Sequence, residues 1–490
     1  MSDILWGSKA KFKYLFIAAV LLLFTCLGSH EIWTQEHRWA DIVYGMFYRH
    51  DFFHPYLNDV NYYDKPLLSY WLIAGFSLIT GEYSTWAMRL PSALAGILDI
   101  WSIYRIGIQV KDKRLGLLAG WMLLTTYYFV FWARTSSADM LNLGGILFAV
   151  AWYLDHKNRP SFWSYAVFFM IMALTSLCKG LVGAVVPVLV ILPDLLINGE
   201  WKKHLRVSVV LAMIPAAIVY LFPFWASTYF GGSHYEQSGL YLVYRENIMR
   251  YFQPFDHKGP IYTYLVYLPI YLLPWAFFFI PALFAIQSGW KKMSVNEKWV
   301  IWSVLILFLF FTVSGSRRNY YVLPIVPFAI LMTADWILKG VKRNLWAKRT
   351  AIFFFIALVL NFNILQPLYY SGGGMKGFSE KMRPYLTSQW NFVMLDPESK
   401  TRFYLNLSPE IKNYSIHGAR EQQTEETLVA AWPLVQEQPK NTIFITRQRY
   451  EAQLKNILKH YDVVEAPETL GERVLRRKNM DAPVAFIPQQ

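Results

Sequence analysis

Apolar blocks of roughly 17 to 25 residues, each long enough to cross a hydrocarbon layer as a helix, recur at 14–30, 86–108, 115–133, 139–155, 162–178, 180–197, 207–225, 261–286, 299–314, 320–338 and 350–367. A water-soluble fold has no place for so many long apolar runs. Of the 490 residues, 55% are hydrophobic, 18% aromatic and only 16% charged, which sets the chain apart from soluble proteins of its length. The expected fold class is an all-α polytopic membrane protein with about 11–13 transmembrane helices. The basic N-terminus (Lys9, Lys11, Lys13) ahead of the first apolar block has the form of a signal sequence, but no small-x-small cleavage site follows. It reads as an uncleaved first span.

The block 67–80 is apolar over only about 14 residues, which suits a re-entrant or interfacial segment better than a crossing. That choice sets the topology. With 67–80 not crossing, one side of the membrane receives Lys111, Lys113 and Arg114; Lys157 and Arg159; Lys202, Lys203 and Arg206; Lys291 and Lys292; and Lys339, Lys342, Arg343, Lys348 and Arg349. The positive-inside bias then places that side, and the N-terminus, in the cytoplasm. The net charge of +14 is therefore accounted for by topology and calls for no nucleic-acid partner. Cys26 and Cys178 lie in or beside apolar blocks, with neither disulfide nor zinc spacing.

Domains are expected at 1–370, a membrane domain with a first external loop at 29–85, and 371–490, a soluble accessory domain. Gly372-Gly373-Gly374 marks the linker. Beyond it, β-rich runs at 391–395, 402–407, 442–446, 463–464 and 473–475 alternate with a helical pattern at 450–460, which describes a small α/β domain. No internal repeat and no broken helices in matching halves are evident. A transporter built from inverted repeats is thereby disfavoured.

The external connections hold the candidate chemistry: Glu36, Arg38, Asp41, His54, Asp64, Lys65, Arg89, Arg134, Asp139, Lys179, Arg245, Arg250, His257, Arg317 and Arg318. Bases outnumber acids there, against the bias, as an anionic lipid phosphate or pyrophosphate would favour; pairing with carboxylates and helix capping account for the same residues singly. In 36–49, Trp39, Ile42, Val43, Met46 and Phe47 recur at helical spacing, the pattern of an interfacial helix with Glu36 at its start. A carboxylate there can take a proton from a hydroxyl or orient an ionised nucleophile; it equally suits the helix dipole. Lys65, ahead of Pro66 at a helix start, offers a point charge for phosphate or snorkels to the interface. Arg317 and Arg318, followed by Tyr320 and Tyr321, offer forked donors and aromatic surface, and are also ordinary membrane-boundary anchors.

Taken in order, these stretches resemble the multi-span, GT-C-class, lipid-linked-sugar glycosyltransferases that include the protein O-mannosyltransferases and the bacterial aminoarabinose transferases acting on lipid A. The resemblance rests on Gln35-Glu36-His37-Arg38-Trp39-Ala40, Tyr63-Asp64-Lys65-Pro66-Leu67-Leu68-Ser69-Tyr70-Trp71-Leu72, Arg89-Leu90-Pro91-Ser92-Ala93, Ala133-Arg134 with Asp139-Met140, Lys179-Gly180, His257-Lys258-Gly259-Pro260 and Tyr321-Val322-Leu323-Pro324. It implies an inverting transfer of a hexosyl or pentosyl unit from a polyprenyl-phosphate donor to a periplasmic acceptor (lipid A, another envelope glycan or lipid, or protein) at a bacterial inner membrane. No cofactor or divalent metal is implied. The partners are membrane lipids, the lipid-linked donor and the acceptor.

Where the family carries the first acid of its pair this chain has Gln35, and an amide cannot act as a carboxylate base. The resemblance therefore puts catalysis on Glu36, Lys65 and Asp41, and substrate binding on Arg38, Tyr63, Asp64, Arg134, Asp139, Arg245, His257, Arg317, Arg318 and Tyr321. The alternatives are a lipid-linked-sugar transporter or flippase and a non-catalytic lipid-phosphate-binding membrane protein.

Overall fold

The computed structural model describes residues 5–33, 35–57, 60–62, 65–227, 229–230, 239–253, 257–411, 413–414 and 433–489. The chain divides into two compact units, Met1–Leu27 with Tyr62–Asn361, and Gly28–Asn61 with Phe362–Gln490. The first 33 residues of the external loop thus belong to the unit of the C-terminal segment, where a linear reading groups them with the membrane spans.

The first unit is helical, and the chain is a multi-pass membrane protein. Among the described residues six helices are long and apolar enough to cross a membrane, or eight with two bent pairs counted as spans. Phe12–Phe24, Ala138–His156 and Val182–Ile197 occupy the remaining expected positions.

Two expected spans are not straight. The block 115–133 is bent by 71° between Lys113–Leu124 and Tyr127–Ala133, and 261–286 by 120° between Thr263–Tyr271 and Ala276–Lys292. Two sharply bent helix pairs therefore exist here, which the continuous apolar blocks did not announce. A break in hydrocarbon leaves backbone groups that need partners; most bond within their own turn, and the two breaks are also tied to each other. Trp275 Nε1 donates to Thr125 Oγ1 at 3.1 Å, and Tyr127 N–H to the Leu273 carbonyl at 3.2 Å. Tyr128 and Tyr271 stack across the junction with centroids 4.2 Å apart.

The interhelical bonds sort the connections into two ends. At one end Lys111 and Lys339 both bridge Asp335 and Glu297, while Arg105 pairs with Asp155 and Lys157 with Asp194. These are the connections that charge bias assigns to one side. At the other end Ser69 Oγ bonds the Cys178 carbonyl at 2.7 Å, Arg89 the Leu27 carbonyl at 2.9 Å, and Ser92 Oγ the Ser137 carbonyl at 3.3 Å. The Leu68–Thr80 helix, 13 residues and so roughly 20 Å long, leaves from this end. The following helix, Thr85–Val110, begins there too, so 68–80 does not cross.

Small residues set the helix spacing, as expected where lipid removes the hydrophobic incentive to associate. A Cβ built on Gly145 would lie 1.9 Å from Thr175 Oγ1 on the Phe162–Lys179 helix. Gly145→Ala should therefore lower stability by about 1–3 kcal/mol, read as a lower unfolding midpoint of the detergent-purified protein.

In the second unit the Glu36–Arg49 helix buries Trp39, Ala40, Ile42, Val43, Gly45 and Met46, the face its periodicity predicts. A short antiparallel pair follows, β1 (Tyr56–Leu57) and β2 (Val60–Asn61). The C-terminal sheet comprises β3 (Asn391–Met394), β4 (Thr442–Arg447), β5 (Tyr461–Glu465) and β6 (Pro483–Pro488), in the order β3-β4-β6-β5. β3 runs parallel to β4, and β6 antiparallel to β4 and β5. Alternate side chains feed two cores, Phe444, Val484 and Phe486 into one, and Ile443, Ile445, Ala485 and Ile487 into the other.

Two expected strands are helices. Thr401–Leu405 is a short turn closed by Asn406 at φ 51°. Leu470–Leu475 opens with a capping box between Thr469 and Glu472, a Thr-x-x-Glu signature that outweighs the β propensity of Val474. β6 was not anticipated, because prolines at both ends disguise its alternation.

Candidate functional site

The start of the Leu68–Thr80 helix is tied by Ser69 to the last turn of Phe162–Lys179. This brings Lys65 and Pro66 to the same cavity as Lys179. The cavity measures about 380 Å³. Lys65, Lys179, Arg250, Glu246, Asn247 and Tyr321 supply its polar lining, and Val182, Val185, Phe224, Phe310 and Phe311 an apolar wall. All of these residues lie in the first unit.

Each polar group is placed by local structure. Lys179 ends its helix because Gly180 adopts φ 128°, ψ −178°, accessible essentially only to glycine. A Cβ there would also meet Asn247 Oδ1 at 2.6 Å. Asn247 Oδ1 in turn accepts from Leu181 N–H at 2.6 Å, and its amide donates to the Val243 carbonyl at 2.8 Å. Lys179 Nζ donates to Asp139 Oδ1 at 2.5 Å and stands 5.0 Å from the Tyr321 ring centroid. Asp139 is held by Ser137, whose hydroxyl donates to Oδ2 and accepts the Asp139 N–H. Glu246 and Asn247 sit in a π-helical turn, Arg245–Met249, a distortion that often marks functional positions. Arg250, buried, donates to Glu246 Oε2 at 2.5 Å. Three cations and one direct carboxylate leave the lining positive. A phosphate on an apolar chain matches both its charge and its walls.

Several expected binding residues are placed elsewhere. Arg134 is fully buried and donates to the Leu22 carbonyl at 2.6 Å, so it braces the first helix rather than lining the cavity. Arg317 is bound to the carbonyls of Thr312 and Gly259 at 3.0 and 2.7 Å. Arg318 pairs with His257 Nδ1 at 2.9 Å. Arg245 lies 3.9 Å from Glu246, at the edge of the group. Asp139 acts through Lys179. Tyr63 and Asp64 fall outside the described residues. Sequence reasoning passed over Glu246 and Asn247 altogether, although the four-residue spacing of Glu246 and Arg250 on a helix is a recognisable pair.

The loop acids lie in the second unit. Glu36 is completely buried, and its Oε2 accepts Trp33 N–H at 2.8 Å; this is the helix-start arrangement that its position allows. Arg38, in the same turn, is partly buried. Asp41 differs. Its Oδ1 is enclosed with no hydrogen-bond partner among the described residues. Burial pushes its pKa from 3.8 up to about 7, against the lowering pull of Arg402. A carboxyl near neutrality can accept a proton under ordinary conditions.

A protein-family profile described as dolichyl-phosphate-mannose-protein mannosyltransferase matches residues 64–226. Among curated proteins, an undecaprenyl phosphate-alpha-4-amino-4-deoxy-L-arabinose arabinosyl transferase from Pectobacterium atrosepticum is 27% identical over 343 residues, 67% of this chain and 59% of the relative. Its Yersinia pestis counterpart is 28% identical over 342 residues, 68% of this chain and 60% of the relative. The matched stretch thus spans about three-fifths of the length of these relatives. Among solved structures, ArnT from Cupriavidus metallidurans bound to undecaprenyl phosphate superposes with a TM-score of 0.71 at 17% identity, covering 97% of both chains. An Archaeoglobus fulgidus oligosaccharyltransferase in the apo form gives a TM-score of 0.52 at 12% identity, covering 93% of this chain and 73% of that one.

Proposed function

We propose that this chain, a GT-C-type membrane protein of the aminoarabinose-transferase and protein-mannosyltransferase-like kind, is a glycosyltransferase that moves a sugar from a polyprenyl phosphate to an envelope acceptor. The observation that carries the reading is the cavity in which Lys65, Lys179, Arg250 and Tyr321 converge beside an apolar wall. The donor phosphate would occupy the cationic part and the first isoprene units the wall. The ArnT relatives, named for undecaprenyl phosphate-linked aminoarabinose, make that the first donor to test and lipid A the first acceptor. By charge bias the cavity faces the periplasm of a bacterial inner membrane.

In the proposed step an acceptor oxygen attacks the anomeric carbon from the face opposite the phosphate. The bond from that carbon to the phosphate oxygen breaks, its electron pair stays on the phosphate, and the configuration inverts. The departing phosphate gains a negative charge, and Lys65, Lys179 and Arg250 are preorganised to stabilise it. Where the acceptor is a hydroxyl, a carboxylate takes its proton, and of the loop acids Asp41, with its pKa near 7, is the one suited to hold it. This revises the weight given to Glu36, whose carboxylate is already committed to the Trp33 amide. The scheme needs no divalent ion, because three side-chain cations serve the leaving group.

The test is transfer of labelled sugar from synthetic undecaprenyl phosphate–aminoarabinose to lipid A by the purified full-length protein, alongside mass spectrometry of lipid A and envelope glycans from a deletion strain. Undecaprenyl phosphate binding without transfer to any acceptor would replace this reading with a transporter or a lipid-phosphate-binding protein. The Gly180→Ala variant should weaken undecaprenyl phosphate binding by about tenfold or more, since the added methyl displaces Asn247 and strains the turn that directly follows Lys179. Unchanged binding of the lipid by that variant would separate the Gly180 turn from the site.

A further inference from the structure

The loop bearing Glu36 and Asp41 is fastened within its unit from its start onward. Glu31, which precedes the loop helix, is buried; its Oε1 accepts Met375 N–H at 2.7 Å, and its Oε2 pairs with Lys400. Lys400 is shared with Glu398 at 3.0 Å. Burial disfavours the Lys400 charge, but the Glu398 and Glu31 carboxylates outweigh it and hold its pKa above the ordinary value. The next residues continue the attachment. Tyr404 OH accepts Ile32 N–H at 3.0 Å, and Tyr44 OH donates to the Asn406 carbonyl at 3.2 Å. Lys376 Nζ reaches the carbonyls of Gly28 and Ser29, both at 3.1 Å. Arg402, buried, spends one N–H on the Ile411 carbonyl at 3.1 Å, has no partner for its Nε among the described residues, and acts electrostatically on Asp41.

We infer that Lys400 and the adjoining Thr401–Leu405 helix form the positioning element of the loop acid: Lys400 fixes the start of the loop through Glu31, and Arg402 fixes the environment of Asp41. Within its unit, the segment after residue 370 then supports the loop acid. This inference rests on the proposed transferase activity and on Asp41 as its proton acceptor. A buried pair that loses one partner leaves the other charge uncompensated, so the Glu31–Lys400 link is the sensitive point. Arg402 also acts on Tyr44 of the Asp41 helix, and Tyr48, further along, contacts Glu410 at 3.4 Å through its OH. Arg402 is the charge that opposes burial at Asp41.

Two measurements on full-length protein in nanodiscs test this. In Lys400→Met, amide hydrogen exchange over residues 28–49 should rise while that of β4 and β6 stays at the wild-type level, and Lys400→Arg should restore protection. In Arg402→Met, the pH–rate inflection for transfer from undecaprenyl phosphate–aminoarabinose should move up by about one unit, which at pH 7 lowers turnover about fivefold, with KM for the donor unchanged. Wild-type exchange over 28–49 in Lys400→Met, or an unmoved inflection in Arg402→Met, overturns the inference. If wild-type protein transfers no sugar, the transferase reading fails on its own, and the exchange experiment still decides whether Lys400 anchors the loop.

Discussion

Lys65→Ala is expected to reduce the rate of sugar transfer by about a hundredfold to a thousandfold, with a smaller rise in KM for the lipid donor. The asymmetry follows from charge. The donor phosphodiester carries one negative charge in the ground state and the departing phosphate two in the product. Each unit charge placed about 4 Å from a lysine ammonium interacts with it by up to about 4 kcal/mol at the effective dielectric of a partly exposed site. Lys65 therefore favours the transition state over the bound donor, and kcat should fall more than KM rises. Lys65→Arg should keep part of the activity, since the charge survives while the geometry changes. Turnover within a factor of about three of wild type in Lys65→Ala, read by single-turnover transfer at saturating donor, would remove the lysine from the mechanism.

Asp41→Asn should lose transfer to hydroxyl acceptors by about a hundredfold or more and yet make the protein more stable above neutral pH. The folded-state pKa is raised from 3.8 to about 7. Below the ordinary value both folded and unfolded chains hold the proton and nothing is lost. Between 3.8 and about 7 the unfolded chain releases it while the folded chain retains it, so stability declines as pH rises across that window; above it the full cost of a buried charge stands. Asparagine removes the slope. Thermal unfolding at pH 5 and pH 8 should therefore converge in the variant, and the wild-type rate should climb with pH through the same region as the carboxylate forms. An Asp41→Asn enzyme with normal turnover, and Glu36→Gln without it, would return the proton-acceptor role to Glu36.

The membrane architecture was readable because each span must satisfy its backbone internally, and the resulting long apolar runs leave little ambiguity. Positive-inside counting placed Lys111, Lys157 and Lys339 on one side, and their ion pairs lie at one end of the bundle. The placement of Leu68–Thr80 off the crossing path was legible for the same reason. Less legible was which outer cations converge. Arg134 and Arg317 sit in motifs as prominent as that of Lys65, but backbone carbonyls engage them, and no local pattern announces a carbonyl partner more than a hundred residues away, as with Arg134 and Leu22, or more than fifty, as with Arg317 and Gly259. Glu246 and Asn247 belong to a π turn, and sequence periodicity is blind to that extra residue. The environment of Asp41 depends on Arg402, which enters the same unit from the far end of the chain. The helix at Leu470–Leu475 was within reach, since its capping box is written in Thr469 and Glu472.

The paired breaks at Thr125–Thr126 and Leu272–Trp275 bear on how the protein is made. The two bends are tied to each other by the Tyr127 N–H to Leu273 carbonyl bond and the Trp275 to Thr125 side-chain bond, and the partners lie some hundred and fifty positions apart in the order of synthesis. The segment around Thr125 emerges from the ribosome long before Trp275 exists, so it must wait in an unbent or chaperoned form, or remain beside the insertion machinery, until its counterpart arrives. Truncated nascent chains ending before residue 272 should accordingly stay crosslinkable to the insertion machinery near Tyr127, and chains extended beyond residue 292 should be released.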